Sequence, residues 1–370
     1  MQKPIVLTLD AGGTNLVFSA LKGNEELVTP LRLPSNADNL DKCIQTIIQG
    51  FEQLREQLNE DVSAISFAFP GPADYRLGVI GDLPNFPSFR GGVPLGPILE
   101  NHFKLPVFIN NDGDLFAYGE ALMGYLPWLN DELKSRGAVK TFRNMIGLTL
   151  GTGFGAGIVL NKRLLVGDNS VGAEIHNATN KFHPEWNAEE SVSTRAIQRV
   201  YAESAGLAFN ASMMPVDIYN IAHEKSDGNA EAALEAFRLY GENLGNSIAS
   251  ILTFIDGIVV LGGGIVASWD LFSPAMFKEL SREIINFKGN ASPRLSYKVY
   301  NLEDESVLDE FAQGKTKILQ VPGGGQSIEY DSMARLGVGV SKLSASTAIS
   351  LGAYAYATQG IENKTLSSIF

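Results

Sequence analysis

An α/β fold built from two related halves is what this 370-residue sequence predicts. Three observations carry the prediction. Residues 5–21 read as a strand, an Asp10-Ala11-Gly12-Gly13-Thr14 turn and a second strand. Residues 145–160 repeat the device, since Leu7-Thr8-Leu9-Asp10 and Leu148-Thr149-Leu150-Gly151 both enter a Gly/Thr turn followed by an apolar strand. Such a duplication sets the architecture. Finally, residues 258–261 are continuously apolar and end in Gly262-Gly263-Gly264, and a strand without a polar face belongs to a sheet covered on both sides. The two glycine hairpins are expected to face each other across an interlobe cleft and to grip one phosphate chain. Only the first copy carries an acid, Asp10 against Gly151, so only the first can offer a carboxylate to a metal.

Composition narrows the classes. Hydrophobic residues make up 45% of the chain and charged residues 19%, as in ordinary globular proteins, and the length suits two domains. No apolar run reaches a membrane span, and the N-terminus enters a strand without the pattern of a secretory signal. The single cysteine, Cys43, excludes an internal disulfide and a multi-cysteine metal cluster. A cytoplasmic protein is the default expectation. The formal charge of −12 argues against a broad basic face for nucleic acid. A nucleotide is still admissible, because backbone N–H groups and a metal ion can meet its phosphates.

Between the hairpins, residues 41–58 carry Cys43, Ile44, Ile47, Ile48, Phe51, Leu54 and Leu58 at helical spacing, so Cys43 reads as a small buried hydrophobe. Residues 62–69 read as a strand entering Pro70-Gly71-Pro72, which either borders a cleft or is a plain turn. Asn85 sits in an apolar loop and is either a turn cap or a contact for a polyhydroxy ligand. Residues 94–103 suggest a helix. Residues 105–112 form an apolar strand ending in Asn110-Asn111-Asp112, with a helix expected over 115–123. Asp112 is either that helix's N-cap or a general base beside an amide that positions a hydroxyl.

Residues 125–144, polar around Trp128, read as a surface excursion. Glu174, His176, Asn177 and Glu189 fall in loops; such carboxylates and amides suit a sugar site, and solvated loop residues are the competing reading. Residues 230–254 predict a long helix with Leu234, Phe237, Leu244, Ile248 and Ile251 on one face, and with Gly241 and Gly245 allowing close packing. The triple glycine 262–264 lets a flat ligand such as a nucleoside lie on bare backbone, or is a flexible turn. Residues 288–330 read as polar and irregular, with an unassigned glycine run at 323–325, and 346–357 as a closing helix.

Taken in order, these motifs resemble the ROK sugar kinases, within the actin-like ATPase superfamily. Asp10-Ala-Gly-Gly-Thr14 looks like the first phosphate motif and Leu150-Gly-Thr-Gly-Phe-Gly-Ala-Gly157 like the second. Pro70-Gly71-Pro72 and Pro84-Asn85 are similar to the sugar-side loops, and Asn111-Asp112 running to Ala117-Tyr-Gly-Glu120 is similar to the catalytic segment. Val260-Leu-Gly-Gly-Gly264 resembles the adenosine motif, and Leu351-Gly-Ala-Tyr354 the closing helix. The resemblance implies a two-lobed, ribonuclease H-like fold, with residues 1–115 plus about 346–370 as a small lobe and 116–345 as a large one.

It also implies ATP-dependent phosphorylation of a sugar hydroxyl, with glucose the first guess and fructose or N-acetylmannosamine behind it. Asp112 would be the base. Gly71, Asn85, Asn111, Glu174, Glu189 and either His176 or Asn177 would hold the sugar. Asp10 would orient Mg2+ through water. Gly12, Gly13, Thr14, Gly151, Thr152 and Gly153 would cradle phosphates, and Gly262, Gly263 and Gly264 the nucleoside. The family's Gly-Glu-x-Gly-His segment stands here as Ala173-Glu174-Ile175-His176-Asn177, and residues 177–188 contain no cysteine, so no structural zinc is expected. A homodimer or higher homo-oligomer is implied, without nucleic acid or membrane as partner. The alternative is a sugar-binding regulator of the same family lacking kinase activity. Repressor relatives carry a DNA-binding domain before the first phosphate motif, and Asp10 stands too early to leave room for one.

Overall fold

Alternating and helical apolar patterns become strands and helices along the whole chain. The computed structural model describes residues 3–83 and 86–367. They fall into two units: Met1–Tyr125, Gly157–Ala173 and Lys342–Phe370 form the first, Leu126–Ala156 and Glu174–Ser341 the second. The first unit runs past the expected boundary at 115 and includes 157–173, which the expected division put in the other half.

In the first unit, β1 (Val6–Ala11) and β2 (Asn15–Lys22) pair antiparallel from Val6↔Leu21 to Ala11↔Leu16. β3 (Glu25–Glu26) and β4 (Leu31–Pro34) both pair with β2. The helix α1 (Leu40–Glu56) starts where the Asn39 side chain accepts from Lys42 N–H at 3.0 Å, the usual device for an orphan first-turn donor. Its buried face is Cys43, Ile47, Phe51 and Leu54, and Phe51 meets Phe18 of β2 edge-on at 5.2 Å. Burial pushes the Cys43 thiol up to about 11, as for an inert core sulfur. β5 (Ala64–Ala68), wholly buried, lies parallel to β1. A small hairpin of β6 (Ala73–Asp74) and β7 (Val79–Ile80), then α2 (Leu95–Phe103), lead to β8 (Val107–Asn110), parallel to β5. The sheet order is β3-β2-β1-β5-β8. α3 (Asp112–Leu122) follows directly; it begins three residues before the expected start at 115.

α4 (Tyr125–Ser135) replaces the surface excursion expected at 125–144. Tyr125, Leu126, Leu129 and Leu133 are buried, because the polar residues lie on one face only. β9 (Met145–Leu150) and β10 (Phe154–Leu160) form the second hairpin, with β11 (Arg163–Leu164) beside β10. After α5 (Thr194–Ala205) and α6 (Pro215–Ala222) comes the long α7 (Ala230–Leu252). Phe237, Leu244 and Ile248 are buried on it, but Leu234 is exposed and Ile251 half-buried. Alanines 232, 233 and 236 take the inner face at that end.

β12 (Ile258–Gly262) is fully buried and lies parallel to β9, from Ile258↔Met145 to Gly262↔Thr149. α8 (Trp269–Leu280) packs on α7 where glycines remove side chains. A Cβ at Gly241 would stand 2.1 Å from the Phe272 carbonyl oxygen, and one at Gly245 2.6 Å from that of Met276.

The stretch 288–330, expected to be irregular, is built of short elements. β13 (Glu283–Ile285) pairs β14 (Ala291–Pro293); β15 (Lys298–Asn301) joins the main sheet; α9 (Glu305–Gln313) buries Leu308 and Phe311; β16 (Thr316–Gln320) and β17 (Ser327–Asp331) form a hairpin around the glycine run. β18 (Arg335–Val340) lies between β12 and β15, parallel to both. The second sheet runs β11-β10-β9-β12-β18-β15, the division between units falling within β10. Each sheet therefore sets a hairpin beside parallel strands, which is the duplication visible in the motifs.

α10 (Ala345–Ser367) returns to the first unit. A Cβ at Gly119 of α3 would lie 2.0 Å from the Ala348 carbonyl oxygen, and one at Gly352 of α10 1.8 Å from that of Leu115. Two backbones are in contact here, with no flexible side chain to yield. Gly119→Ala is expected to destabilise the protein by about 3 kcal/mol or more, read as a lowered urea midpoint; an unchanged midpoint would disprove the contact.

Arg335 is buried at the start of β18. It ion-pairs with Asp331 and donates to the carbonyls of Phe311, Ala312 and Met333. Burial works against the Asp331 carboxylate, but the Lys315 and Met333 N–H groups and the Arg335 guanidinium outweigh it and hold its carboxyl below the usual range. The pair's contribution is thus complete above the unfolded carboxyl value of about 3.9 and disappears as pH falls through the lower folded value. Arg335→Met, which strands a buried carboxylate, should lose about 3–5 kcal/mol at pH 7 in denaturant titrations, and less at pH 3.

Candidate functional site

Parallel strands end together, and their carboxyl ends gather the first unit's candidates. Asp10 is in register with Ala68, and Ala68 with Asn110. The segments leaving these strands, Gly12-Gly13-Thr14, Pro70-Gly71 and Asn111-Asp112, therefore lie along one edge of one sheet, where α/β folds place ligands. Asn85 lies outside the described residues.

Asp112 is not the helix cap. Asn111 is: its Oδ1 accepts from Asp114 N–H at 2.6 Å, and Asp112 is the first helical residue of α3. The Asp112 carboxylate is exposed and accepts from Gly113 N–H at 2.9 Å through one oxygen. Freed from capping, it is available as a base. Asn110, fully buried, accepts from Asn111 N–H at 2.8 Å, while its amide Nδ2 has no protein partner among the described residues.

Asp10 is half-buried at the end of β1, and the Ser346 hydroxyl donates to its Oδ2 at 3.1 Å. Magnesium binds through one or two carboxylates together with phosphate and water, and this single carboxylate, fixed on one oxygen, fits that demand.

The two hairpins differ in closure. Gly12 N–H donates to the Asn15 carbonyl at 3.0 Å, whereas Gly151 N–H donates to that of Gly153 at 3.1 Å. In both, the exposed tip is open: among the described residues the N–H groups of Gly13, Thr14, Thr152 and Gly153 donate to no protein acceptor. Unpaired donors of this kind suit an anion. A Cβ at Gly151 would meet nothing within 4 Å, so that glycine leaves backbone uncovered.

The triple glycine divides its work. Gly262 is buried in β12. Gly263 has φ 93°, and a Cβ there would stand 2.3 Å from the Leu150 carbonyl oxygen, so conformation and space both demand glycine. Gly264 is exposed and faces open space.

Beyond the hairpins, the second unit holds Glu174, His176, Asn177 and Glu189. Residues 175–177 form one tight turn. His176 Nδ1 meets Glu174 Oε2 at 2.9 Å, and Asn177 is exposed. Glu189 is engaged at both oxygens, accepting from Phe154 N–H at 2.9 Å and from Arg195 Nη2 at 2.8 Å. Glu190 shares that guanidinium; hydrogen bonding to it holds the Glu190 carboxyl low, against a smaller effect of burial. Among the described residues no three His, Cys, Asp or Glu side chains are grouped to hold a metal.

Sequence reasoning missed Ser346, Arg195 and Thr194, whose N–H and hydroxyl donate to the Gly151 carbonyl at 2.8 and 3.0 Å. Ser346 and Asp10 are 336 residues apart, and no local pattern marks such a pair.

The ROK family profile matches residues 6–306. The chain is 28% identical to an N-acetyl-D-glucosamine kinase of Vibrio parahaemolyticus over 75% of this chain and 89% of that one. It is 27% identical to a glucokinase of Halalkalibacterium halodurans over 78% of this chain and 86% of that one. Among solved structures, a glucokinase from Parabacteroides distasonis superposes with a TM-score of 0.89 at 48% identity, covering 97% of this chain and 98% of that chain. With the duplicated sheets and their glycine hairpins, these matches place the chain in the ROK family, with its two-lobed actin-like ATPase fold.

Proposed function

We propose that this protein transfers the terminal phosphoryl group of ATP to a hydroxyl of a hexose, with glucose the first candidate and fructose or N-acetylmannosamine next. One observation carries the reading: Asp112 stands exposed at the carboxyl edge of the sheet, relieved of capping by Asn111. The 48% identity to a glucokinase over nearly the whole chain supports glucose.

Phosphoryl transfer demands mainly positioning and charge neutralisation. Asp112 accepts the proton of the attacking hydroxyl as the new P–O bond forms and the bond from the terminal phosphorus to the bridging oxygen breaks, that oxygen leaving with ADP. The Asn111 side-chain NH2, left over from capping, donates to a sugar hydroxyl. Glu174 and His176 accept and donate as a pair, and Glu189 meets the sugar with its carboxylate already oriented by Arg195 and Phe154. The open N–H groups of Gly13, Thr14, Thr152 and Gly153 hold phosphate oxygens, and bare backbone at Gly264 receives the nucleoside. Asp10, steadied by Ser346, would hold Mg2+ through water; when bound, the ion neutralises phosphate charge.

ADP release that depends on added sugar, screened over common hexoses and N-acetylhexosamines, tests the reading. Asp112→Asn should lower turnover by about 10²–10⁴-fold, while calorimetry still detects sugar binding. Substantial turnover in this variant would sink the assigned base. The glycines give a contrast. Gly263→Ala should destabilise the fold by more than about 1 kcal/mol, since φ and space are both wrong for alanine, whereas Gly264→Ala should leave the urea midpoint in place and raise the KM for ATP. Equal effects on stability would contradict the division of labour between them.

A further inference from the structure

Between the Glu174–His176 turn and Glu189, residues 178–191 form a loop closed by Ala188 N–H to the Ala178 carbonyl at 2.7 Å and by a bridge between Thr179 and Asn187. At its centre is the Asn180 side chain, only 3% exposed. Its Nδ2 donates to the Asn187 carbonyl at 3.1 Å and to Ser191 Oγ at 2.7 Å. Its Oδ1 accepts from Phe182 N–H at 3.1 Å and His183 N–H at 3.2 Å. Both donors and both lone pairs of the amide are used. A side chain of another shape, or with donors only or acceptors only, cannot repeat this pattern.

Packing against the same segment is incomplete. A cavity of about 160 Å³ lies against the loop, lined by Phe182, His183 and Ser191 on one side and by Val200, Ala236 and Tyr240 on the other. The hydroxyl of Tyr240, which lines it, is buried without a protein partner among the described residues. The outer turn is anchored by Lys181, which meets Glu242 at 2.9 Å and Glu279 at 2.8 Å, and by Trp186, which stacks on His183 and lies beneath Arg199. The Asn180 amide is therefore the buried polar centre of a loop that packs beside a cavity.

We infer that Asn180 is a positioning residue for sugar recognition. Just past the Glu174–Asn177 turn, it is bonded to Asn187 and Ser191 on either side of Glu189, and so helps to set how Glu174, His176 and Glu189 meet the sugar. The inference rests on the kinase reading proposed above. It predicts a defect confined to the sugar, because the hairpin tips and Gly264 make no hydrogen bond to Asn180.

Steady-state kinetics on the full chain tests this with Asn180→Ala, Asn180→Asp and Ser191→Ala. Asn180→Ala should raise the KM for sugar about tenfold or more, as expected for loss of a buried hydrogen-bonded group, and leave the KM for ATP within about twofold. Asn180→Asp keeps the acceptor for Phe182 and His183 but cannot donate to Asn187, and should fall between. Ser191→Ala, which removes one partner, should show the smallest change. Equal rises in both KM values, or an unchanged KM for sugar, would overturn the inference. Hydrogen exchange separates its failure from that of the kinase reading: the amides of Phe182, His183 and Ala188 should exchange faster in Asn180→Ala whether or not any sugar is phosphorylated. Unchanged exchange would dismiss the positioning role in either case, and where Asn180→Ala fails to fold, Asn180→Asp and Ser191→Ala carry the same comparison.

Discussion

Register between parallel strands is the constraint on which the candidate site depends. Asp10, Ala68 and Asn110 occupy matching positions on three adjacent strands, so three loops leave one edge of one sheet. In the second unit, Gly262 pairs with Thr149 and Leu261 with Val340, which brings the β9 turn, the triple glycine and the end of β18 to one edge. A one-residue slip would turn every side chain to the opposite face and would separate Asp10 from the Asn111-Asp112 segment. The antiparallel β1–β2 hairpin holds β1 in its register, from Val6↔Leu21 to Ala11↔Leu16.

An acidic protein that binds a polyanion must supply positive potential locally. The formal charge is −12, and each unit has carboxylates among its candidate residues, Asp10 and Asp112 in the first and Glu174 and Glu189 in the second. In the proposed kinase, unpaired backbone donors at each hairpin tip would meet this requirement without adding a lysine, through fixed dipoles that need no reorganisation. Arg195 is spent on Glu189 and Glu190, and its guanidinium is held firmly charged by both, Glu190 foremost. Its charge is balanced by those two carboxylates.

The hairpins, α1 and β12 were legible because their apolar spacing is strong and glycine marks their ends. The start of α3 was not, since Asn111 and Asp112 are adjacent residues of nearly equal capping preference and only coordinates reveal which side chain reaches Asp114 N–H. Residues 288–330 read as irregular because β14, β16 and β17 are short and expose nearly every residue, so neither face shows an alternating pattern. Leu234 was placed on one face of α7 with Phe237, Leu244, Ile248 and Ile251, yet alanines hold the buried face near the helix start. Asn180 is an asparagine in a polar loop by sequence, and its four hydrogen bonds appear only when the loop closes on it.

The duplicated hairpins show how one device is adapted twice. Each strand end is tied to a hydroxyl from the first turn of a helix: Ser346 of α10 reaches the Asp10 carboxylate, and Thr194 of α5 reaches the Gly151 carbonyl. In the first copy the hydroxyl fixes one carboxylate oxygen, and in the proposed kinase the other would face a hydrated metal ion. In the second, where glycine replaces the acid, the same kind of bond fixes backbone and leaves the turn's N–H groups outward. At the second tip it is Gly153 that lies against a carboxylate, since a Cβ there would stand 2.8 Å from Glu189 Oε2, whereas one at Gly151 would meet nothing within 4 Å. Position 151 carries no acid, so of the two turns only the first presents a carboxylate at its strand end.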